Sequence, residues 1–315
     1  MKRGQSGINC LIALHKPKGI TSHDCINALR NILHERRIGH AGTLDPLADG
    51  VLLIGIGQAT RLLSYIVGHD KSYEASITFG QQTTTDDTEG DICSSSLVPA
   101  CVEDASYAQR VLRHFTGQIQ QVPPAYSAIS LGGIRAYNAV RQGTPLDLSP
   151  RSVCVYKAEL SDITFDPSTH VPIWHVHFCV SKGTYIRSLA RDIGLYAQTH
   201  AHLSALERSS SGSITIADCI TLDELKKESL SSLTNRMLNP FDVIDAAHYM
   251  LGDTDLVDMS YGRSLTIRKN CLNDCANSQL VGCVYQNKLY GIYERKDDKL
   301  ICRTNMLNGV SGVTW

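Results

Sequence analysis

The stretch that most restricts what this chain can become is IGHAGTLDPLADGVLLIGIG, residues 38–57. Residues 38–50 hold a His, three Gly, a Pro and two Asp, and an apolar run over 51–56, broken by Gly55, follows at once. Turn residues hold an unusual backbone path and a buried strand makes it rigid, which is how a loop that carries chemistry is seated. Asp45 lies between Leu44 and Pro46, and the proline pushes it out of the helical region toward an extended or turn conformation. A carboxylate in a partly apolar loop is a candidate nucleophile or general base. The same residues also suit an Asx-turn, in which the aspartate caps its own backbone.

The rest of the chain narrows the class. Its 315 residues suffice for one large domain or two ordinary ones, and 43% hydrophobic with 19% charged residues is a soluble globular composition. A formal net charge of -1 excludes a molecule that is basic all over, but a basic face beside an acidic one stays open. The apolar run 8–14 is short and broken by Asn9, too polar for a signal peptide, and no other stretch is long enough to span a membrane. A cytoplasmic location is expected, in which the eleven scattered cysteines stay reduced. Cys271, Cys275, Cys283 and Cys302 do not have zinc-knuckle spacing, and HERRIGH lacks the second histidine of a zincin helix, so no metal is expected. GIGQAT has two glycines of a dinucleotide fingerprint, with Thr60 where the third belongs.

Along the chain, 10–14 reads as a buried strand, and HKPKGITSHD as a turn offering Thr21, Ser22 or Asp24 as the cap of a helix over 25–33. A helix is predicted over 58–67 and an alternating strand over 73–79. A helix over 105–115 comes next, then strand and hairpin around Gly132-Gly133, a short helix over 134–141 and strands over 151–165 and 173–180. SKGTYIRSLARDIG predicts a helix from Gly183-Thr184, with Lys182, Tyr185 and Arg187 in its first turn. Cations there oppose the helix dipole, so an anionic partner is implied. HLSALERSSSGSI reads as a helix end and a strand, and 222–244 as helical and linking. From about residue 246 short strands and turns suggest a separate β-rich module, dividing the chain into 1–245 and 246–315.

GHAGTLDPLADGVLLIGIGQATRL resembles the signature loop of the TruB family of tRNA pseudouridine-55 synthases. HKPKGITS, KSYEASITFG, VPPAYSAISLGGIRAYNAVRQG and SKGTYIRSLARDIG match the same family in the same order, so the resemblance covers most of residues 8–225. It implies an α+β pseudouridine synthase fold: a mixed, mostly antiparallel sheet flanked by helices, with a small β-rich PUA-like domain at the C-terminus. It implies isomerisation of one uridine of the tRNA T-arm, without cofactor, metal or obligate protein partner. On that resemblance Asp45 is the essential carboxylate, Arg187 its cationic partner, and Tyr73 the ring that stacks on the base and moves a proton. His40, Tyr185, Leu206 and Lys16 correspond to substrate-binding positions, and Lys18, Arg36, Arg37, Arg141 and Lys182 suit phosphate contacts. The acidic run Asp86, Asp87, Glu89 and Asp91 must then lie away from RNA or pair with basic residues. Three rivals remain: a synthase guided by a separate RNA and protein partners, an RNA-binding or folding protein without catalysis, and a nucleotide-cofactor oxidoreductase built on GIGQAT.

Overall fold

The computed structural model describes residues 6–127, 129–144, 146–227, 233–268, 271–272 and 276–315, with 131, 134, 135, 137 and 141 by their backbone alone. Strands and helices follow the two hydrophobic periods of the sequence, giving an α+β fold whose strand pairs are mostly antiparallel. The chain divides into two compact units, Met1–Pro46, Gly50–Gly68 and Ser211–Trp315 in the first, Leu47–Asp49 and His69–Ser210 in the second.

In the first unit, β1 (Cys10–Lys16) is followed by α1 (Ser22–Leu33), β2 (Ile38–Ala41) and β3 (Ala48–Ile56). β1 runs antiparallel to β3 from Cys10↔Ile56 to Lys16↔Gly50, and β2 pairs with β3 as well. Residues 10–14 are buried on both faces, which is why they read as an unbroken apolar run. One face meets Cys25, Ile26, Leu29 and Leu33 of α1. The predicted helix over 58–67 is a 3-10 turn, Gly57–Leu62, ahead of a short α2 (Leu63–Ile66). Gly57 has a φ of +59°, and a Cβ there would lie 2.2 Å from the Ile8 carbonyl oxygen; one on Gly55 would lie 2.9 Å from that of Ala59. Close backbone approach therefore accounts for both glycines of GIGQAT.

In the second unit, β4 (Lys71–Phe79) leads to the hairpin of β5 (Gln81–Thr83) and β6 (Ile92–Ser95), which the sequence pattern did not reveal. α3 (Ala105–His114) and β7 (Gly117–Gln121) precede a small hairpin, β8 (Ser130–Leu131) and β9 (Ile134–Arg135), whose turn is Gly132-Gly133. The short helix α4 (Ala136–Arg141) starts two residues after its predicted start, because 134–135 are spent on the hairpin. β10 (Arg151–Phe165), β11 (Pro172–Val180), α5 (Ile186–Tyr196) and β12 (Ala201–Ser211) complete the unit. Its strands lie in the order β12-β4-β11-β10-β7. β4 buries Lys71, Tyr73, Ala75, Ile77 and Phe79, the alternation read from the sequence.

The C-terminal part of the first unit carries β13 (Leu280–Tyr285), β14 (Lys288–Lys296) and β15 (Lys299–Val310) as an antiparallel meander. Its turns use left-handed backbone at Gln286, Asn287 and Asp297. A helix, Asp253–Ser260, interrupts what the sequence suggested was strand and turn alone. Val284, Leu289, Ile292, Met306 and Val310 share one core with Leu11, Ala13, Val51 and Leu53, while Tyr249, Cys283, Tyr293 and Leu300 form a second core of their own. Cys275 lies outside the described residues; Cys283 is fully buried, and burial pushes its thiol pKa well up.

Candidate active site

The Asp45 loop leaves β2 after Ala41 and enters β3 at Ala48. Gly42 takes a φ of +79° at its start, Leu44 is buried, and Asp45 is half-buried. Both neighbours of Asp45 are held. The Leu44 amide donates to the Ser22 hydroxyl at 2.9 Å, and that hydroxyl donates to the Leu44 carbonyl at 3.0 Å. The Pro46 carbonyl accepts from the Gly19 amide at 2.8 Å and from the Lys16 ammonium at 3.4 Å. Lys16 is fully buried and also donates to the carbonyls of Pro17 at 2.8 Å and Ile20 at 2.7 Å. HKPKGITS is thus the brace of the aspartate loop. Thr21 is the true N-cap of α1 and forms a capping box with Asp24, which leaves Ser22 for the loop. His40 is half-buried on β2, opposite Ile54. Lys18 and Arg36 are exposed, whereas Arg37 donates to the Thr60 hydroxyl at 2.9 Å.

The second unit carries Tyr73, Tyr185, Arg187 and Leu206. Tyr73 sits on the buried face of β4, and Leu206 and Arg208 are buried on β12 with half-exposed Glu207 between them. Lys71, one alternation from Tyr73, donates to the His69 carbonyl. Burial, then repulsion from Arg208 and Lys182, brings its pKa down to about 8, against an opposing pull from Asp70.

α5 begins at Ile186, later than the sequence predicted. Gly183 takes a left-handed φ of +82°, and the Thr184 hydroxyl turns back to the Ser181 carbonyl at 2.9 Å. Lys182 therefore precedes the helix and is exposed, Tyr185 is the N-cap residue, and Arg187 is the cation left in the first turn. A buried amide places this end: the Tyr185 N–H donates to Gln121 Oε1 at 2.8 Å, and Gln121 Nε2 donates to the Tyr185 carbonyl at 3.1 Å.

Arg187 is 5% exposed and donates to the carbonyls of Thr85 and Tyr126, each at 3.0 Å. Its Nε lies 3.5 Å from the Asp87 carboxylate, which accepts from the Thr85 hydroxyl at 2.5 Å and the Glu89 amide at 3.0 Å. One turn on, Arg191 pairs with Asp86 at 3.0 Å and Asp192 at 2.9 Å, and donates to the Val122 carbonyl at 2.9 Å. Burial raises the Asp86 pKa, and Arg191 pulls it down less strongly. A cleft of about 350 Å³ opens over this second pair, with Thr84, Pro123 and Leu146 among its walls. The first two acids of the 86–91 run are thus counterions of α5. The side chain of Arg141 lies outside the described residues. Gln121, and the contact of Ser22 with the Asp45 loop, are what sequence reasoning missed; their signal was confined to polarity beside a motif.

A chain of a solved Cbf5–Nop10–Gar1 complex superposes with a TM-score of 0.68 at 22% identity, covering 94% of this chain and 84% of that one. A chain of the archaeal box H/ACA Nop10–Cbf5 complex gives 0.67 at 22%, covering 94% and 86%. The fold is that of the pseudouridine synthases. Residues 30–186 match the model of the TruB family pseudouridylate synthase N-terminal domain, and 187–244 that of the tRNA pseudouridylate synthase B C-terminal domain. The chain belongs to the TruB family of pseudouridylate synthases. The tRNA pseudouridine synthase B of Bacillus pumilus is 40% identical over 75% of each chain, and that of Streptococcus pyogenes serotype M2 is 34% identical over 93% of this chain and 97% of its own.

Proposed function

We propose that this protein isomerises uridine 55 in the T-arm of tRNA to pseudouridine, with Asp45 as the essential carboxylate. The observation that carries the reading is the bracing of the Asp45 loop, in which Ser22, Gly19 and Lys16 fix the residues on both sides of a half-buried acid. A surface Asx-turn needs no such support.

In the isomerisation the bond between N1 and C1′ breaks, the uracil turns, and C5 bonds to C1′. C5 loses its proton and N1 gains one, so composition is conserved. Asp45 acts at the ribose or the base as a carboxylate, and Arg187 is the cation that keeps it ionised. Tyr73 stacks on the uracil and moves the C5 proton. A base inside a folded RNA loop must be flipped out to be reached; His40 holds it out of the stack, and Tyr185 and Leu206 line its pocket. Lys16 serves through the loop that its ammonium supports. Lys18, Arg36, Arg37, Arg141 and Lys182 supply phosphate contacts, the sequence-independent part of the affinity.

The enzyme acts alone and in the cytoplasm. The curated relatives, at 40% and 34% identity, stand nearer than the Cbf5 chains at 22%, which supports a stand-alone enzyme over a guided one. No described helix is long and apolar enough to cross a membrane. The test is tritium release from a tRNA transcript labelled at C5 of uridine, using the purified chain and Asp45→Ala. Release by the wild type alone, with tRNA binding kept by both, supports the reading. Release by both refutes the role of Asp45, and release by neither points to the guided or non-catalytic alternatives.

A further inference from the structure

We infer that Ser22 is a positioning residue for the isomerisation: its hydroxyl sets the backbone of Leu44 and thereby the angle at which Asp45 meets the substrate. The inference rests on the reading of Asp45 as the catalytic carboxylate.

Ser22 is 2% exposed and occupies the first position of α1, where a hydroxyl has no intrahelical duty, because Thr21 already caps the helix. Its oxygen instead meets one residue twice, accepting from the Leu44 N–H at 2.9 Å and donating to the Leu44 C=O at 3.0 Å. Residues 43–45 belong to no strand or helix, so Leu44 has no ladder partner that fixes its peptide planes. A single hydroxyl that satisfies both groups takes the place of that partner. It also selects one orientation for the peptide that leads into Asp45, since rotation of either Leu44 plane breaks one of the two bonds. On the far side of Asp45 the Pro46 carbonyl is fixed separately by Gly19 and Lys16. Loss of Ser22 frees the near side only, which tilts the carboxylate without emptying the pocket.

The test compares Ser22→Ala with Thr21→Ala, which removes the neighbouring hydroxyl that caps the same helix and makes no contact with the loop in the hydrogen bonds described. Single-turnover tritium release from C5-labelled tRNA gives the rate constant at saturating enzyme, filter binding gives the tRNA Kd, and a thermal melt gives Tm. Ser22→Ala is expected to lose on the order of 10- to 100-fold in the rate constant, the scale of a reacting group misplaced by about an ångström, with Kd unchanged within about twofold. Thr21→Ala is expected to lower Tm as much and to keep the full rate. A wild-type rate for Ser22→Ala, or an equal rate loss in Thr21→Ala, overturns the inference. Ser22→Cys keeps the volume and weakens both hydrogen bonds, and gives the same ordering in milder form if Ser22→Ala does not fold. Asp45→Ala, run alongside, separates the two claims: an active Asp45→Ala removes the reading beneath the inference, whereas an inactive one beside a fully active Ser22→Ala overturns the inference alone.

Discussion

The two carboxylates opposite α5 are adjacent in sequence, and their amide variants should differ sharply in stability. The order is opposite to the one distance suggests. Asp86 lies 3.0 Å from Arg191 and Asp87 lies 3.5 Å from Arg187, so geometry alone ranks the Asp86 pair first. Burial reverses that ranking. The Arg187 and Asp87 side chains are 6% and 2% exposed, so this pair lies almost wholly out of water. Breaking a buried pair by removing one partner costs about 3–5 kcal/mol; the carbonyls of Thr85 and Tyr126, which Arg187 keeps, place Asp87→Asn near the lower end, about 3 kcal/mol. Arg191 is more exposed and retains Asp192 at 2.9 Å, while the Asp86 carboxylate is itself disfavoured by burial. Asp86→Asn should therefore cost about 1 kcal/mol or less. Urea unfolding of the two variants and the wild type at pH 7 measures the difference directly. Equal losses, or a larger one for Asp86→Asn, would refute the argument that burial outweighs contact distance here.

Three further outcomes are expected. Lys71 holds its proton less tightly in the folded chain, so the unfolded chain binds the additional proton between about pH 8 and the ordinary value of 10.5, and stability rises with pH across that window. Lys71→Met should exceed the wild type at pH 7 by up to about 3 kcal/mol and lose that advantage between those two values; a pH-independent difference in melts contradicts it. Gly57→Ala meets the Ile8 carbonyl and the Asn9 side chain at 2.2 and 2.4 Å in a left-handed conformation, so a loss of about 3 kcal/mol or more is expected in a thermal melt. Gln121→Leu removes both hydrogen bonds of this amide to Tyr185, whose carbonyl still accepts from the Leu189 N–H, and should cost about 1 kcal/mol while lowering single-turnover tritium release; full activity would show that the start of α5 needs no clamp.

Elements with a local cause were legible in the sequence. β1, β4 and β11 declare themselves through burial on one or both faces, and α1 through its cap and apolar spacing. The Asp45 loop stood out because proline and glycine punctuate an acid beside a buried strand. What failed to show depends on residues far away in sequence. The acids at 86 and 87 were expected to lie away from RNA or pair with basic residues; they pair, but which arginines they meet was hidden because those come about a hundred positions later. Ser22 looked like one of three possible caps, and only its contact with Leu44 separates it from Thr21. α5 was predicted to start too early because Gly183-Thr184 imitates a helix start, while its positive φ makes a turn instead. The helix at Asp253–Ser260 buries little more than Met259 and Asp255, so it leaves only a faint periodic trace.

The core that joins Leu11 and Val51 to Met306 and Val310 also sets a timetable for synthesis. The Ser311 amide donates to the Asn9 carbonyl at 2.8 Å, and the Leu238 amide to that of Leu11 at 2.9 Å. β1 is thus completed by residues that leave the ribosome about 300 positions after it. At about 5–20 residues per second, β1 and β3 wait on the order of 15–60 s with apolar surface uncovered. The second unit, whose segments are made in between, has every partner of its own within that interval. Nascent chains arrested before β15 should accordingly recruit chaperones through β1 and β3, while the stretch from β4 to β12 is already protected from protease.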